Sequence, residues 1–227
     1  MLFKSGLLTQ VSGSVGGMTG SHNRGGMYLR ARAVPVNQQT TRQLAIRNAV
    51  TALTSRWSDT LTQAQRDAWD VYGSNVPVLN PLGDQIQLSG QQHYVRSNVP
   101  RLQAGLSRVD DGPTTFELGS FTAPSFSITT PDQLDVTFTS GDAWVGEDDA
   151  AMLVYTGRPQ PSTINFFKGP YRLADSIDGS SGTPPTTPAT LTTDYQYTSG
   201  QKLFTFVRVT RGDGRLSGLD RQGIVVP

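Results

Sequence analysis

The sequence of 227 residues contains no cysteine and only two histidines, His22 and His93. Without cysteine the chain has no disulfide, no thiolate zinc ligand and no cysteine nucleophile. With two histidines, an imidazole metal cluster or a Ser-His-Asp triad has very few ways to assemble. The composition argues against an enzyme, and we expect no catalytic residue, no cofactor and no bound metal.

Long apolar runs are missing as well. Residues 1–8 hold too short an apolar stretch for a secretory signal, and no stretch approaches the roughly 20 apolar residues that span a bilayer. We therefore expect a soluble protein, made in the cytoplasm, with no membrane partner.

Charge is nearly balanced overall but unevenly distributed. The formal net charge is +1; residues 1–105 carry 10 Lys and Arg against 4 Asp and Glu, and residues 106–227 carry 9 against 14. Nucleic-acid-binding domains usually cluster basic residues more tightly than this, so we expect no nucleic-acid partner. Association between opposite parts of neighbouring copies fits the charges equally well.

Two helices with their own start signals are predicted between residues 40 and 73. Thr40 and Thr62 each open a capping-box pattern, which predicts one helix from about Thr41 to Ser58 and a second through Tyr72, ended by Gly73. The short connection favours an antiparallel helical hairpin with a small apolar core. The predicted core residues of this module are Ile46, Val50, Leu53, Trp57 and Trp69.

The segment before the helices is glycine-rich and then basic. The small residues from Ser12 to Gly20 predict a flexible arm that orders only against a neighbour, and they lack the Gly-Lys-Ser/Thr ending of a phosphate-binding loop. A hairpin turn at Asn23–Gly26 and a strand from Met27 to Val36 with one basic or aromatic face are predicted next. The predicted interaction residues are Arg24, Tyr28, Arg30 and Arg32.

The chain then changes character at a predicted linker. Asn80–Asp84 predicts a turn, and Ser89 predicts the cap of a third helix that runs to about Asn98 and is limited by Pro100. Residues 106–113 read as a linker at which the charge balance changes sign. The predicted domains are an N-terminal docking domain over 1–105 and a strand-rich domain over 114–227.

Beyond the linker, short apolar-polar segments separated by turn residues predict strands and no helix. They lie at residues 126–129, 134–138, 151–155, 166–173, 202–209 and 223–226. Residues 179–188, rich in Ser, Thr, Gly and Pro, predict a long loop. This pattern predicts an antiparallel β-sandwich of the immunoglobulin or fibronectin type, and the whole chain is predicted to be α+β, mostly β.

Two short motifs in the second part allow both a functional and a structural interpretation. The acidic run Glu147-Asp148-Asp149 does not match a calcium-binding loop and is predicted to be a solvated turn. Arg211-Gly212-Asp213 matches the tripeptide of integrin ligands and is an adhesion-motif candidate, although its glycine and aspartate also suit a tight hairpin.

Several pieces of the first hundred residues carry a family resemblance. They are Ser14-Val15-Gly16-Gly17, Asn23-Arg24-Gly25-Gly26 with Tyr28-Leu29-Arg30, Pro35-Val36-Asn37 followed by Thr41-Arg42-Gln43, Trp57, Leu61 to Trp69, and Leu88-Ser89-Gly90. In these pieces the chain resembles a family of uncharacterised virion structural proteins of tailed bacteriophages and prophages. Gln38 departs from the pattern, which usually has proline there. The resemblance implies a virion component, and none of the matched residues is catalytic.

These observations predict a bacteriophage virion structural protein, made in the host cytoplasm and located in the virion. The leading hypothesis is a capsid decoration or cement protein whose partners are other virion proteins, the major capsid protein in particular, and copies of itself. A head–tail connector, tail or baseplate component is the alternative within the virion. A carbohydrate- or receptor-binding module is the alternative from another class, with candidate aromatic residues Trp144, Tyr155, Tyr171, Tyr195 and Tyr197.

Overall fold

The structure, a computed structural model, describes residues 11–23, 26–34, 36–79 and 84–227. The chain divides into two compact units, residues 1–41 and 42–227. In the described residues short strands come first, three helices follow with a strand pair between the second and the third, and the remaining strands are antiparallel. The predicted class, α+β and mostly β, is confirmed.

The first unit carries a three-stranded antiparallel sheet. Its strands are β1 (Gly13–Val15), β2 (Met18–Asn23) and β3 (Gly26–Ala31), paired in that order. The prediction of a flexible arm up to Gly20 is wrong, because the glycine pair between β1 and β2 forms a two-residue hairpin loop. Gly16 has a φ of 58°, a left-handed conformation that glycine adopts readily. The predicted turn at Arg24 and Gly25 lies outside the described residues.

Three helices follow in the described residues, and each begins at the residue that the sequence predicts. They are α1 (Thr41–Asp59), α2 (Gln63–Asn75) and α3 (Gly90–Gln103). At the start of α2, the Gln65 amide donates to the Thr62 hydroxyl at 3.3 Å, and the Thr62 amide donates to the Gln65 side chain at 3.0 Å. Ser89 and Gln92 repeat this capping box at α3.

Two predicted helix ends are wrong. α2 continues past Gly73. Glycine is needed there because the Leu88 backbone lies close to it: a Cβ at residue 73 would lie 2.7 Å from the Leu88 carbonyl oxygen. α3 continues through Pro100, because the next residue, Arg101, is held by tertiary hydrogen bonds of its side chain. Its guanidinium donates to the Ser107 and Arg211 carbonyl oxygens at 2.8 and 2.7 Å. Tertiary hydrogen bonds of this kind override the local preference of proline.

The helical core is centred on Tyr94 of α3. The ring of Tyr94 lies 5.6 Å from that of Trp57 and 5.7 Å from that of Trp69, so the two predicted tryptophans meet through a residue of the third helix. Leu53 and Trp69 are buried, and Ile46 is half-buried. Val50 is 38 % exposed and does not belong to the core, because burial on α1 is confined to its C-terminal turns.

The remaining strands form a small ribbon and two larger sheets. The ribbon pairs β4 (Val78–Leu79) with β5 (Gln85–Ile86). What we call the small sheet has the order β11-β7-β6, and the large sheet has the order β10-β8-β12-β13 with β9 also paired to β12. Their bounds are β6 Ser125–Thr130, β7 Gln133–Thr137, β8 Ala151–Gly157, β9 Gln160–Pro161, β10 Tyr171–Asp178, β11 Ala189–Thr192, β12 Gln201–Thr210 and β13 Asp220–Val225.

The two sheets contribute to one apolar core. Leu134 and Val136 of the small sheet belong to the same buried cluster as Met152 and Val154 of β8 and Val207 of β12. The opposite face of the large sheet carries a second cluster around Leu153 and Tyr155, against which residues following α3 pack. β8 is therefore buried on both faces, which explains its nearly continuous apolar sequence.

The predicted linker, residues 106–113, lies inside the second unit and is bonded to the helices. The Trp69 indole donates to the Asp110 carbonyl oxygen at 3.0 Å, and the Asn98 side chain exchanges two hydrogen bonds with the Val109 backbone. The three-part division of the chain at this segment stays a prediction.

Candidate functional site

Two of the predicted interaction residues, Tyr28 and Arg30, share one face of the sheet of the first unit. The register pairs Arg30 with Thr19 and Tyr28 with Ser21, so these four side chains point the same way. Arg30 and Arg32 are exposed, Tyr28 is half-buried, and Arg32 follows the last residue of β3. Arg24 lies outside the described residues.

The other face of this sheet is apolar, which the sequence analysis missed. Val15 pairs with Met18, which pairs with Ala31, and Leu29 lies on the same face. Val15 is 87 % exposed and Met18 is 51 % exposed. The alternation of side-chain types with period two was recognisable in the sequence from residue 27 onward. The glycine-rich sequence before it shows no such alternation, so the rest of the apolar face was not predicted.

The adhesion-motif candidate is held by contacts within the protein. The Arg211 guanidinium forms an ion pair with Glu147 and also donates to the Leu118 carbonyl oxygen. The Gly212 amide donates to Glu147 at 2.9 Å, and Asp213 pairs with Arg215 at 2.7 Å. These contacts give the tripeptide a structural role in the turn after β12, and they occupy the side chains that an adhesion receptor would bind.

The acidic run next to this turn also makes internal bonds. Besides Glu147, Asp148 accepts hydrogen bonds from the Ser181 amide and hydroxyl at 2.8 and 2.6 Å. These bonds lower the pKa of Asp148. Within residues 11–23, 26–34, 36–79 and 84–227, no group of three or more His, Asp or Glu side chains is placed to hold a metal ion.

The five aromatic candidates for carbohydrate binding divide into two groups. Trp144, Tyr155 and Tyr197 are buried in the strand-rich part, so their rings are not available to a ligand. Tyr171 and Tyr195 are partly exposed. The Tyr195 ring is already covered by the Arg172 guanidinium at 4.9 Å, which leaves Tyr171.

Tyr171 belongs to a group of rings on what we call the outer face, the side of the large sheet that faces away from the small sheet. The Tyr155 and Phe206 rings stack at 4.3 Å, and Tyr171 meets Phe206 edge-on at 4.9 Å. Phe167 meets Tyr171 edge-on at 5.2 Å and stacks on Phe204 at 5.7 Å. Alternation along β12, with Leu203 and Val207 inward and the two phenylalanines outward, was the sequence signal for this face.

A cleft of about 160 Å³ opens beside these rings. Its lining residues are Asn165, Phe166, Phe167, Tyr171, Phe204, Arg221, Gln222 and Gly223. Phe166 is 72 % exposed at this cleft. A second cleft of about 320 Å³ lies where Ile128, Tyr197 and Val226 meet, and its lining contains no charged side chain.

Three arginines lie on or beside the outer face and form what we call the arginine cluster: Arg96 of α3, Arg208 of β12 and Arg221 of β13. Arg221 pairs with Phe206 in register, so Arg208, two residues along β12, is its diagonal neighbour on the same face. Burial lowers the pKa of Arg208 to about 10, and repulsion from Arg96 and Arg221 acts in the same direction.

Comparison with protein-family models, with curated proteins and with solved structures finds no match to this chain. Among the residues that the structure describes, no helix is long and apolar enough to cross a membrane. The two candidate functional surfaces are the sheet of the first unit and the outer face of the large sheet.

Proposed function

We propose that this protein is a structural component of a bacteriophage virion, a capsid decoration or cement protein that docks through its N-terminal part. The observation that carries the proposal is the sheet of the first unit, which has an exposed apolar face at Val15 and Met18 and a basic face at Arg30. Contact with a partner would bury the exposed side chains of Val15 and Met18, and an exposed apolar patch of this kind is typical of an interaction site.

The partners in this proposal are the major capsid protein, other virion proteins and further copies of the same chain. On a symmetric lattice many copies attach side by side, so a small apolar face on each copy is sufficient for firm attachment. The family resemblance of the first hundred residues supports a place in the virion.

The second unit is the displayed part in this proposal, and we propose a β-sandwich of the immunoglobulin or fibronectin type for its strands. The shared core of the small and large sheets supports that assignment. A head–tail connector, tail or baseplate component is the alternative position. Hundreds of copies per particle would support decoration, whereas a ring of six or twelve would support a connector.

The docking proposal is tested with matched substitutions on the two faces of the first sheet. Val15→Asn with Met18→Asn removes the apolar face, and Ser14→Asn with Thr19→Asn changes neighbouring positions on the opposite face. We expect the first pair to weaken co-sedimentation with particles that lack the protein by at least about tenfold, since each buried apolar side chain contributes about 1.5 kcal/mol or more. The second pair should bind within about twofold of wild type.

Removal of residues 1–36 tests the same docking proposal by deleting the whole sheet of the first unit. The shortened chain should lose particle attachment and keep the melting temperature of the second unit. Normal attachment of the shortened chain would show that the first unit is not the docking surface.

A carbohydrate- or receptor-binding module is the second candidate function, and the outer-face cleft favours it. Tyr171 and the exposed ring of Phe166 offer the aromatic surface that a sugar requires, beside polar groups of Asn165. Binding of the full-length protein to a glycan array, reduced by Phe166→Ala, would support this candidate. An array without any binding would remove it and leave the docking proposal unaffected.

A further inference from the structure

We propose that the outer face of the large sheet binds an acidic saccharide, with its carboxylate held by Arg208 and Arg221 and a sugar ring placed in the aromatic cleft. The inference rests on the second candidate function and specifies the class of ligand. It is independent of the docking role of the first unit.

The arginine cluster has no side-chain partners in the described part of the chain. The side chains of Arg96, Arg208 and Arg221 form no hydrogen bond or ion pair with any residue that the structure describes, and the Arg208 Nε atom is buried without an acceptor. Arg96 and Arg208 are half-buried and Arg221 is exposed. A partly buried cation without an acceptor is costly, and like charges beside one another add to the cost. A bound anion would remove both penalties at once.

The second argument is the geometry of these cations. Arg208 and Arg221 are diagonal neighbours on adjacent strands, and Arg96 reaches the same region from α3, close enough for its charge to act on Arg208. The planar guanidinium group has the donor spacing that a carboxylate accepts in bidentate fashion. Two such groups at diagonal positions of one sheet are therefore placed where they can share a carboxylate.

The third argument joins the cations to the rings. Arg221 and Tyr171 both line the cleft, so a ligand with an apolar ring and a carboxylate can reach both features together. A volume of about 160 Å³ lies well below the ~300 Å³ of sites for larger ligands, which favours one ring-sized group over a peptide segment with its backbone. Phe166 supplies an exposed ring beside it.

The experiment titrates the full-length protein by calorimetry with a disaccharide that contains glucuronic acid and with its neutral glucose counterpart, at low ionic strength. We expect the acidic sugar to bind at least about tenfold more tightly, in line with a charge-assisted contact. Arg221→Gln and Arg208→Gln should abolish that preference. Arg47→Gln makes the same charge change on the exposed surface of α1 and should leave binding unchanged.

The other possible outcomes distinguish the acidic-saccharide site from the more general proposal of a carbohydrate-binding module. Equal affinity for the acidic and neutral sugars would overturn the carboxylate site and support the carbohydrate module. Binding of a poly-glutamate peptide but of neither sugar, if lost in Arg221→Gln, would overturn the saccharide assignment in favour of an acidic protein partner. No binding of any probe would overturn both, provided that each variant retains the wild-type circular dichroism spectrum and melting temperature.

Discussion

The two compact units use their apolar residues in opposite ways. In the second unit, large side chains such as Trp69, Trp144 and Leu153 are fully buried in three apolar clusters. In the described part of the first unit, only Gly20 is buried, and Val15 and Val36 are exposed to 87 % and 85 %. Both units are hydrogen-bonded, but among the described residues only those of the second unit form buried apolar clusters.

This difference assigns folding stability to one unit and attachment to a partner to the other. Burial of apolar area is the main favourable contribution to folding, and among the described residues that burial is concentrated in the second unit. The first unit keeps apolar area uncovered, where contact with another surface can bury it. Substitutions in the second unit should therefore change the free energy of unfolding, and substitutions in the first unit should change attachment to particles. Four predictions test this difference.

The largest effect is expected from Trp69→Ala. This substitution empties the centre of the helical core and removes the hydrogen bond to the Asp110 carbonyl oxygen, so the free energy of unfolding should fall by about 4 kcal/mol. Denaturant unfolding followed by circular dichroism measures it. Tyr28→Ala, which removes a ring of the first unit, should change the same quantity by no more than about 0.5 kcal/mol. Equal losses would refute the separation.

Arg101→Met should lower the free energy of unfolding by about 2 kcal/mol, because the Ser107 and Arg211 carbonyl oxygens lose their donor. Since Arg101 joins α3 to the end of β12, we also expect one thermal transition to separate into two. Arg158→Met, at an exposed position, is the control. A single, unshifted transition would mean that the helices and sheets unfold together without this residue.

Acidification should destabilise the second unit through His93. Burial lowers the pKa of this histidine below its ordinary value of about 6.5, and repulsion from Arg96 acts in the same direction. The unfolded chain then binds more protons, so stability is full above pH 6.5 and is lost as pH falls towards the folded pKa, by at most about 1.4 kcal/mol per pH unit.

Thermal melts between pH 7.5 and 5 measure this dependence. His93→Phe should flatten it, because the ring can still pack against Tyr72. His22→Gln, on the sheet of the first unit, should leave the slope as in wild type. An unchanged slope in His93→Phe would assign the pH dependence to other groups.

The smallest effect on stability is expected from Val34→Ser. Val34 is 76 % exposed, so the free energy of unfolding should change by no more than about 0.5 kcal/mol. Co-sedimentation with particles is the measurement that should respond, if this residue belongs to the docking surface. A lower melting temperature would instead place Val34 in a core.

Local signals in the sequence predicted the parts of the fold that depend on neighbouring residues. The capping boxes at Thr62 and Ser89 located the starts of α2 and α3, and the alternation in β12 located a strand. The predicted ends of these helices were wrong, because whether the helix continues at Gly73 and at Pro100 depends on contacts with residues distant in the chain. No local pattern reports such contacts.

The lack of a local sequence pattern also explains why two surface features were not predicted from the sequence. The apolar face of the first sheet requires the register of three strands, and the arginine cluster joins α3 to β12 and β13. Basic residues that lie 112 and 125 positions apart from Arg96 give no recognisable motif. The exposed basic positions Arg30 and Arg32, by contrast, were found because they lie in a single alternating strand.

The loop over residues 179–188 is fixed at its two ends and at Ser181, which donates to Asp148, and it is open around Gly182. A Cβ on Gly179 would lie 2.1 Å from the Trp144 carbonyl oxygen, and the Thr187 hydroxyl accepts a hydrogen bond from the Phe138 amide at 3.0 Å. Gly182 has open space around it. A foreign peptide inserted after Gly182 would leave both anchors in place, so this loop is the natural position at which to graft an epitope onto the protein.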